Sequence, residues 1–138
     1  MTAKEFLSRA MTVNREIDSK LSLVTTLRET MTKATAVLSD MPRSGSPNLQ
    51  TVESTVAKIV DLESEINCEI DRLVDLLAEA QKAISAVEKF QYRYLLELRY
   101  LHFKSWTQIM EIMNLSETSV YRIHLEALKK VHIPEKWE

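Results

Sequence analysis

The sequence is poor in the residues that interrupt helices. Its 138 residues include one glycine and three prolines, and both residue types destabilise the interior of a helix. This scarcity excludes a fold built from many short elements joined by tight turns. Long helices with few connections are therefore predicted, and the length allows one medium domain or two small ones.

Cysteine and long apolar runs are scarce as well. Cys68 is the single cysteine, which excludes an intramolecular disulfide and is typical of a reducing compartment. Its place beside an apolar stripe predicts a half-buried side chain. No run of about 18 apolar residues occurs, so no membrane span is expected. The N-terminal sequence is charged and amphipathic rather than signal-like, and we expect a cytoplasmic protein.

No arrangement of residues predicts an enzyme. His102, His124 and His132 fall in different predicted elements and have no metal-ligand spacing with Cys68. One glycine cannot build a phosphate-binding loop, and the acidic residues between 63 and 79 are typical of a solvated helix face. We expect no catalytic residues, no cofactor and no metal.

The net charge of −2 is not typical of a general polyanion-binding protein. The acidic excess lies in residues 1–89, whereas residues 90–138 are slightly basic. Two interpretations stay open: an ordinary surface with chance asymmetry, or an acidic scaffold that carries a near-neutral reader with its few cations on one face.

Two apolar stripes predict a long antiparallel helical hairpin. Steps of three and four, the spacing of a coiled-coil seam, give a first stripe of Ala3, Phe6, Ala10, Val13, Ile17, Lys20, Val24, Leu27, Met31, Ala34, Leu38 and Met41. They give a second stripe of Leu49, Val52, Val56, Ile59, Glu63, Ile66, Ile70, Leu73, Leu77, Ala80, Ile84 and Val87. Only Lys20 and Glu63 are charged. A turn around Pro42 and Gly45 would fold the second helix back on the first, and Ser46 or Asn48 would cap it.

Further apolar residues flank both stripes, which suggests that another helical surface packs there. They are Leu7, Met11, Leu21, Leu62, Val74 and Leu76. We expect self-association into a homodimer through the hairpin. The alternative is that the C-terminal region folds back and covers this surface within one chain. Lys20 is expected to reach a carboxylate near Asp71.

The last third of the chain has the spacing of a helix-turn-helix. After a helix over Phe90–Leu101, with Tyr94, Leu95, Leu98 and Leu101 facing a core, Ser105 caps a helix that starts at Trp106. Asn114 supplies a left-handed turn, and Ser116 caps a second helix running from Glu117 to about Val131. The inward positions, all apolar, are Ile109, Met113, Leu115, Val120 and Ile123.

From Leu98 the sequence reads LRYLHFKSWTQIMEIMNLSETSVYRIHLEALKKV. The features Leu98-Arg99-Tyr100, Ser105-Trp106, Leu115-Ser116, Arg122 and the ending Ala127–Val131 resemble region 4 of bacterial sigma factors. That domain reads the −35 promoter element and docks on the RNA polymerase flap. A long helical part followed by such a domain resembles small phage and prophage sigma-like late transcription regulators.

This resemblance implies a DNA-reading second helix and a phosphate-contacting first helix. Arg122 is the candidate for guanine, Glu117 for cytosine, Thr118 for a thymine methyl and Tyr121 for a phosphate or methyl group. The full set of candidate DNA-binding residues is Ser105, Thr107, Gln108, Ser116, Glu117, Thr118, Ser119, Tyr121, Arg122 and Lys129. For Arg122, an ion pair with Glu126 is the alternative, and for Lys129 a place in the last helical turn.

The sequence thus predicts an all-α protein with two domains. Residues 1–88 form the hairpin for oligomerisation, and residues 89–138 form a sigma region 4-like helix-turn-helix of three to four helices. The expected function is sequence-specific regulation of transcription through double-stranded DNA, with RNA polymerase as a further expected partner. The alternatives are a helix-turn-helix that docks on RNA polymerase or another protein without binding DNA, and a structural coiled-coil adaptor.

Overall fold

The computed structural model describes residues 1–40 and 47–137, and the ordered elements there are helical. Two long helices come first: α1 (Ala3–Asp40) and α2 (Pro47–Ser85). The C-terminal elements are α3 (Phe90–Leu96), a π-helical turn (Glu97–Leu101), α4 (Trp106–Met113), α5 (Glu117–Lys129) and a short 3₁₀ turn (Glu135–Trp137).

The predicted fold class is confirmed: the protein is all-α, with a long helical hairpin followed by small helices. The turn predicted at Pro42 and Gly45, and its cap at Ser46, lie outside the described residues. Helix α5 ends at Lys129 rather than at Val131. Within residues 1–40 and 47–137, no helix combines the length and apolar character that crossing a bilayer requires.

The chain divides into two compact units, residues 15–71 and residues 1–14 together with 72–138. In the unit of residues 15–71, α1 and α2 pack antiparallel along the predicted seam. Ile17 and Val24 of α1 and Ile59 and Ile66 of α2 are buried. Arg28 of α1 pairs with Glu63 of α2 across the rim of this seam.

Between Val52 and Ile70, the inward face of α2 differs from the prediction at every second position. Val52, Ile59 and Ile66 face inward as expected, but Val56 and Ile70 are exposed. Their places are taken by the residues one position earlier, which are buried or half-buried: Thr55, Leu62 and Glu69.

Polar partners explain this register. The hydroxyl of Thr55 donates to the carbonyl of Thr51 at 2.7 Å, and the carboxylate of Glu69 accepts from Lys20 at 2.5 Å. Glu63 is released to the exposed rim. The hydroxyl of Thr55 and one carboxylate oxygen of Glu69 therefore have partners in this register. Cys68, expected to be half-buried, is exposed.

Lys20 occupies the one charged position of the α1 seam, and it reaches a carboxylate as predicted: that of Glu69 and, at 3.4 Å, that of Glu65. The hydrogen bond to Glu69 raises the pKa of Lys20, and Glu65 adds to the effect. The second oxygen of Glu69, Oε2, is buried and has no hydrogen-bond partner among the described residues. We expect this pair to fix the register of the two helices at a cost in stability.

Removing one member of this pair should destabilise the hairpin more than removing both. We expect Lys20→Met to lower the urea midpoint, because it leaves the half-buried Glu69 without its cation. The double variant Lys20→Met/Glu69→Met should recover or exceed the original midpoint. Equal midpoints for the single and double variants would show that Glu69 is solvated well enough not to need Lys20.

In the second unit, the beginning of α1 and the end of α2 pack against the C-terminal helices. One continuous core contains Phe6, Leu7, Met11, Ala80, Ala83, Ile84, Val87, Leu96, Tyr100, Ala127 and Val131. Arg9 pairs with Glu79 at 2.7 Å beside it. The flanking residues Leu7 and Met11 are thus covered by other helices of the same chain, which was the stated alternative to dimerisation. Val74, another flanking residue, is exposed. The predicted domain boundary at residue 88 stays a prediction.

Helix α3 and its π-helical turn are buried on two sides. Leu96 and Tyr100 belong to the core just described, and Leu95 and Leu98 belong to a second core with α4 and α5. Behind the turn, the N–H of Lys104 donates to the carbonyl of Leu98 at 2.9 Å. Phe103 has a φ of 56°, a costly left-handed conformation for an aromatic residue. This connection sets where α4 begins.

Candidate nucleic-acid interface

Helices α4 and α5 form the predicted pair around a left-handed turn. Asn114 has φ 55° and ψ 49°, a conformation that asparagine tolerates better than most residues. Ile109, Val120 and Ile123 are buried in one core, and the other two predicted inward residues, Met113 and Leu115, pack against it. Met110 packs there as well, so the crossing of the two helices accommodates this large side chain.

Both helices have serine caps, as predicted. The Oγ of Ser105 accepts from the N–H of Gln108 at 3.2 Å, and the Oε1 of Gln108 accepts from the N–H of Ser105 at 2.9 Å. This capping box occupies the hydroxyl of Ser105 and the carbonyl oxygen of the Gln108 side chain. Thr107 is exposed beside them. The amide NH₂ of Gln108 and the hydroxyl of Thr107 are donors at the start of α4 that this capping box does not use.

The cap of α5 engages two of the predicted reading residues. The Oγ of Ser116 accepts from the N–H of Ser119 at 3.2 Å, and its hydroxyl donates to the Oγ of Ser119 at 3.0 Å. Ser119 is half-buried. These two hydroxyls hold the start of α5 in place. They are therefore better explained as positioning groups than as groups that contact DNA.

The outward face of α5 carries the remaining candidates. Glu117, Thr118, Tyr121 and Arg122 are exposed, whereas Val120 and Ile123 face the core. Because these four residues fall in the first two turns, they form one accessible surface at the N-terminal end of the helix.

Arg122 is the cation of this surface. The predicted alternative, a pair with Glu126, is not observed, because the carboxylate of Glu126 lies 3.4 Å from the Nζ of Lys129. No ion pair of Arg122 occurs within the described part of the chain. Its guanidinium is therefore accessible, while Lys129 is engaged within its own helical turn.

An aromatic cluster behind this face positions Tyr121. The guanidinium of Arg99 lies 4.5 Å from the centre of the Trp106 ring. The centre of the exposed Tyr121 ring lies 5.4 Å from the centre of the same Trp106 ring. Arg99 also donates to the carbonyl of Lys104 at 3.0 Å. Trp106 is half-buried and packs against the core, so it supports the site rather than offering a stacking surface.

His124 is a buried histidine that sequence reasoning did not place. Its ring lies edge-on to Trp106 at 4.6 Å, and its Nε2 lies 2.7 Å from the hydroxyl of Tyr100. Burial lowers the pKa of His124 to about 4, and Lys4 and Arg99 contribute to the shift. Burial also raises the pKa of Tyr100 to about 12. The two groups therefore pair as neutral partners that connect α5 to the π-helical turn.

Two exposed apolar residues near the candidate interface were missed as well. Leu125, four positions after Tyr121 on the same face of α5, is 61% exposed, and Ile112 of α4 is exposed too. The spacing of Leu125 from Tyr121 was the available signal. Together with Tyr121 they make the surface more apolar than a phosphate-binding surface requires.

A comparison with known families matches the region that contains this surface to one family. A family described as "Protein of unknown function (DUF1492)" matches residues 45–132, which is more than half of the chain. The chain belongs to the DUF1492 family. Its DUF1492 region includes helices α2 to α5 and therefore the whole candidate interface. No curated protein and no solved structure matches the chain.

Proposed function

We propose that the chain is a sequence-specific DNA-binding transcription regulator that inserts α5 into the major groove. The observation that carries the proposal is the exposed guanidinium of Arg122 in the second turn of a capped second helix. Arginine at such a position matches the O6 and N7 of guanine. The resemblance of residues 98–131 to sigma factor region 4 supports the same function.

In this proposal, the first turns of α5 read bases and the start of α4 contacts the backbone. Thr118 and Tyr121 lie beside Arg122 and supply a methyl group and a phenol to base edges or phosphates. Thr107 and Gln108 donate to phosphate at the N-terminus of α4, where the helix dipole favours an anion.

Arg122→Ala should weaken binding to the preferred duplex by about 10- to 100-fold, since one bidentate base contact is worth about 1–3 kcal/mol. The preferred duplex is first selected from a random-sequence pool at near-physiological salt, with the variant run in parallel. The selected motif should lose definition at one base pair. Arg72→Ala, which removes an exposed arginine from α2, should leave the motif and the affinity unchanged. Equal losses in both variants would reduce the role of Arg122 to general electrostatics.

A second candidate function is docking on RNA polymerase or another protein without binding DNA. The exposed Ile112, Tyr121 and Leu125 favour it, because aromatic and apolar residues are common at protein interfaces. Salt separates the two functions. DNA affinity falls with a slope of roughly −0.9 per phosphate contact on logarithmic axes, whereas docking through apolar residues responds little. Leu125→Ala should weaken a polymerase pull-down if docking is the function.

We also propose that the protein acts as a homodimer through residues 15–71. Leu21, Val60 and Ile70 are exposed apolar residues in this unit, and a symmetric pair would bind two related half-sites. Sedimentation equilibrium tests the dimer directly. An asymmetric footprint on a single half-site, together with a monomeric mass, would remove it.

A further inference from the structure

A cleft away from the candidate DNA-reading residues brings together two lysines and a histidine. It has a volume of about 450 Å³ and lies between the segment that follows α2 and the segment that follows α5. Its lining consists of Ala86, Val87, Glu88, Lys89, Tyr92, Lys130 and His132. Clefts of this size are typical of sites for small organic molecules.

The backbone under these side chains is held in place. The guanidinium of Arg93 donates to the carbonyls of Val87 and Glu88 at 3.0 and 3.3 Å. Lys130 caps the C-terminus of α5, with its N–H directed to the carbonyl of Ala127 at 3.0 Å. Val131 is buried between Lys130 and His132. Both sides of the cleft are therefore anchored to the core, although the side chains of Lys130 and His132 are exposed.

The charges of the cleft favour an anion. No ion pair of Lys89 or Lys130 occurs within residues 1–40 and 47–137, and Lys89 instead lies over the ring of Tyr92 at 4.6 Å. Glu88 is the single carboxylate of the lining. Two ammonium groups that share one cleft without carboxylate partners create a positive potential that a dianionic group would relieve.

We propose that this cleft binds a small organic phosphate. The ammonium groups of Lys89 and Lys130 contact the phosphate, His132 supplies a further nitrogen, and Val87 with the ring of Tyr92 contacts the organic part. From Ser116, the cap of α5, to Lys130 the helix extends about 20 Å at 1.5 Å per residue. The cleft is thus separate from the first turns of α5, and the proposal does not depend on DNA binding.

Titration calorimetry of the full chain with ATP, AMP and inorganic pyrophosphate tests the proposal. We expect saturable binding of ATP or AMP that Lys89→Ala/Lys130→Ala weakens at least tenfold. Lys58→Ala removes one exposed lysine of α2 outside the cleft and should leave the affinity unchanged. All of these lysines are exposed, and circular dichroism checks that each variant keeps its helix content.

Three results would overturn the proposal. They are no saturable binding of either nucleotide, an equal loss in Lys58→Ala, and pyrophosphate binding as tight as that of the nucleotides, which would leave the organic part without a role. The same double variant is also measured on the selected duplex. An unchanged DNA affinity is the expected result, whereas a matching loss of DNA affinity would assign the two lysines to a nucleic-acid backbone instead.

Discussion

Replacing Leu7 with alanine should lower the free energy of unfolding by about 3–5 kcal/mol, the range found for well-buried leucines. Leu7 is 0% exposed and belongs to the core that also contains Leu96, Tyr100 and Ala127. The truncation leaves a cavity among residues of four helices, which cannot all move inward to fill it. Chemical denaturation followed by circular dichroism measures the loss.

The matched control is Leu23→Ala, which makes the same change in the same helix. Leu23 is 46% exposed, so its truncation should cost less than about 1 kcal/mol. The comparison separates core packing from helix propensity, because both variants replace leucine by alanine within α1. A loss at Leu7 as small as the loss at Leu23 would mean that the N-terminal part of α1 does not support the C-terminal helices.

If Leu7 behaves as expected, the start of the hairpin is a structural part of the unit that contains the candidate interface. The sequence predicts a domain boundary after residue 88 because the periodicity changes there. Periodicity reports which face of a helix is apolar, and it carries no information about which distant helix covers that face. Leu7 and Met11 were recognised as needing a cover, but the cover itself depends on long-range packing.

The two hairpin helices show how far periodicity reaches. Along α1 one stripe is clearly more apolar than its neighbours, and its inward positions from Ala3 to Ala34 are buried or half-buried. Along α2 two stripes compete, one through Val56 and Ile70 and one through Leu62 and Glu69. The sequence predicts the more apolar stripe, whereas the structure has the other one over residues 55–69. We expect this choice to depend on Lys20, a partner on the opposite helix that no count along α2 includes.

The candidate interface also has features that the sequence predicts and features that it does not. The caps at Ser105 and Ser116 and the turn at Asn114 were predictable because their chemistry is local. The cluster of Arg99, Trp106 and His124 was not predictable, because its formation depends on the π-helical turn. An extra residue in that turn changes which side chains face each core, and it brings Tyr100 to His124. No short sequence signal marks such a turn.

The Tyr100–His124 pair gives the second large effect, a loss of stability in mild acid. The pKa of about 4 for His124 in the folded protein lies below the ordinary histidine value of 6.5. Above pH 6.5 both the folded and unfolded states hold a neutral imidazole, so the contribution of His124 is complete. As the pH falls from 6.5 towards 4, the unfolded chain binds a proton that the folded chain does not. The free energy of unfolding should therefore fall by about 3 kcal/mol over this window.

His124→Gln separates this effect from other acid-sensitive groups. Glutamine keeps a polar group near the hydroxyl of Tyr100 but does not titrate, so the stability of this variant should change little between pH 6.5 and 5. His102→Gln alters an exposed histidine and should keep the original slope. The paired carboxylate of Glu79, whose pKa is lowered chiefly by its hydrogen bond with Arg9, loses its contribution only below about pH 4.5, outside this range. Denaturation midpoints at closely spaced pH values measure the slope, and an unchanged slope in His124→Gln would show that the pKa of His124 is the same in the folded and unfolded states.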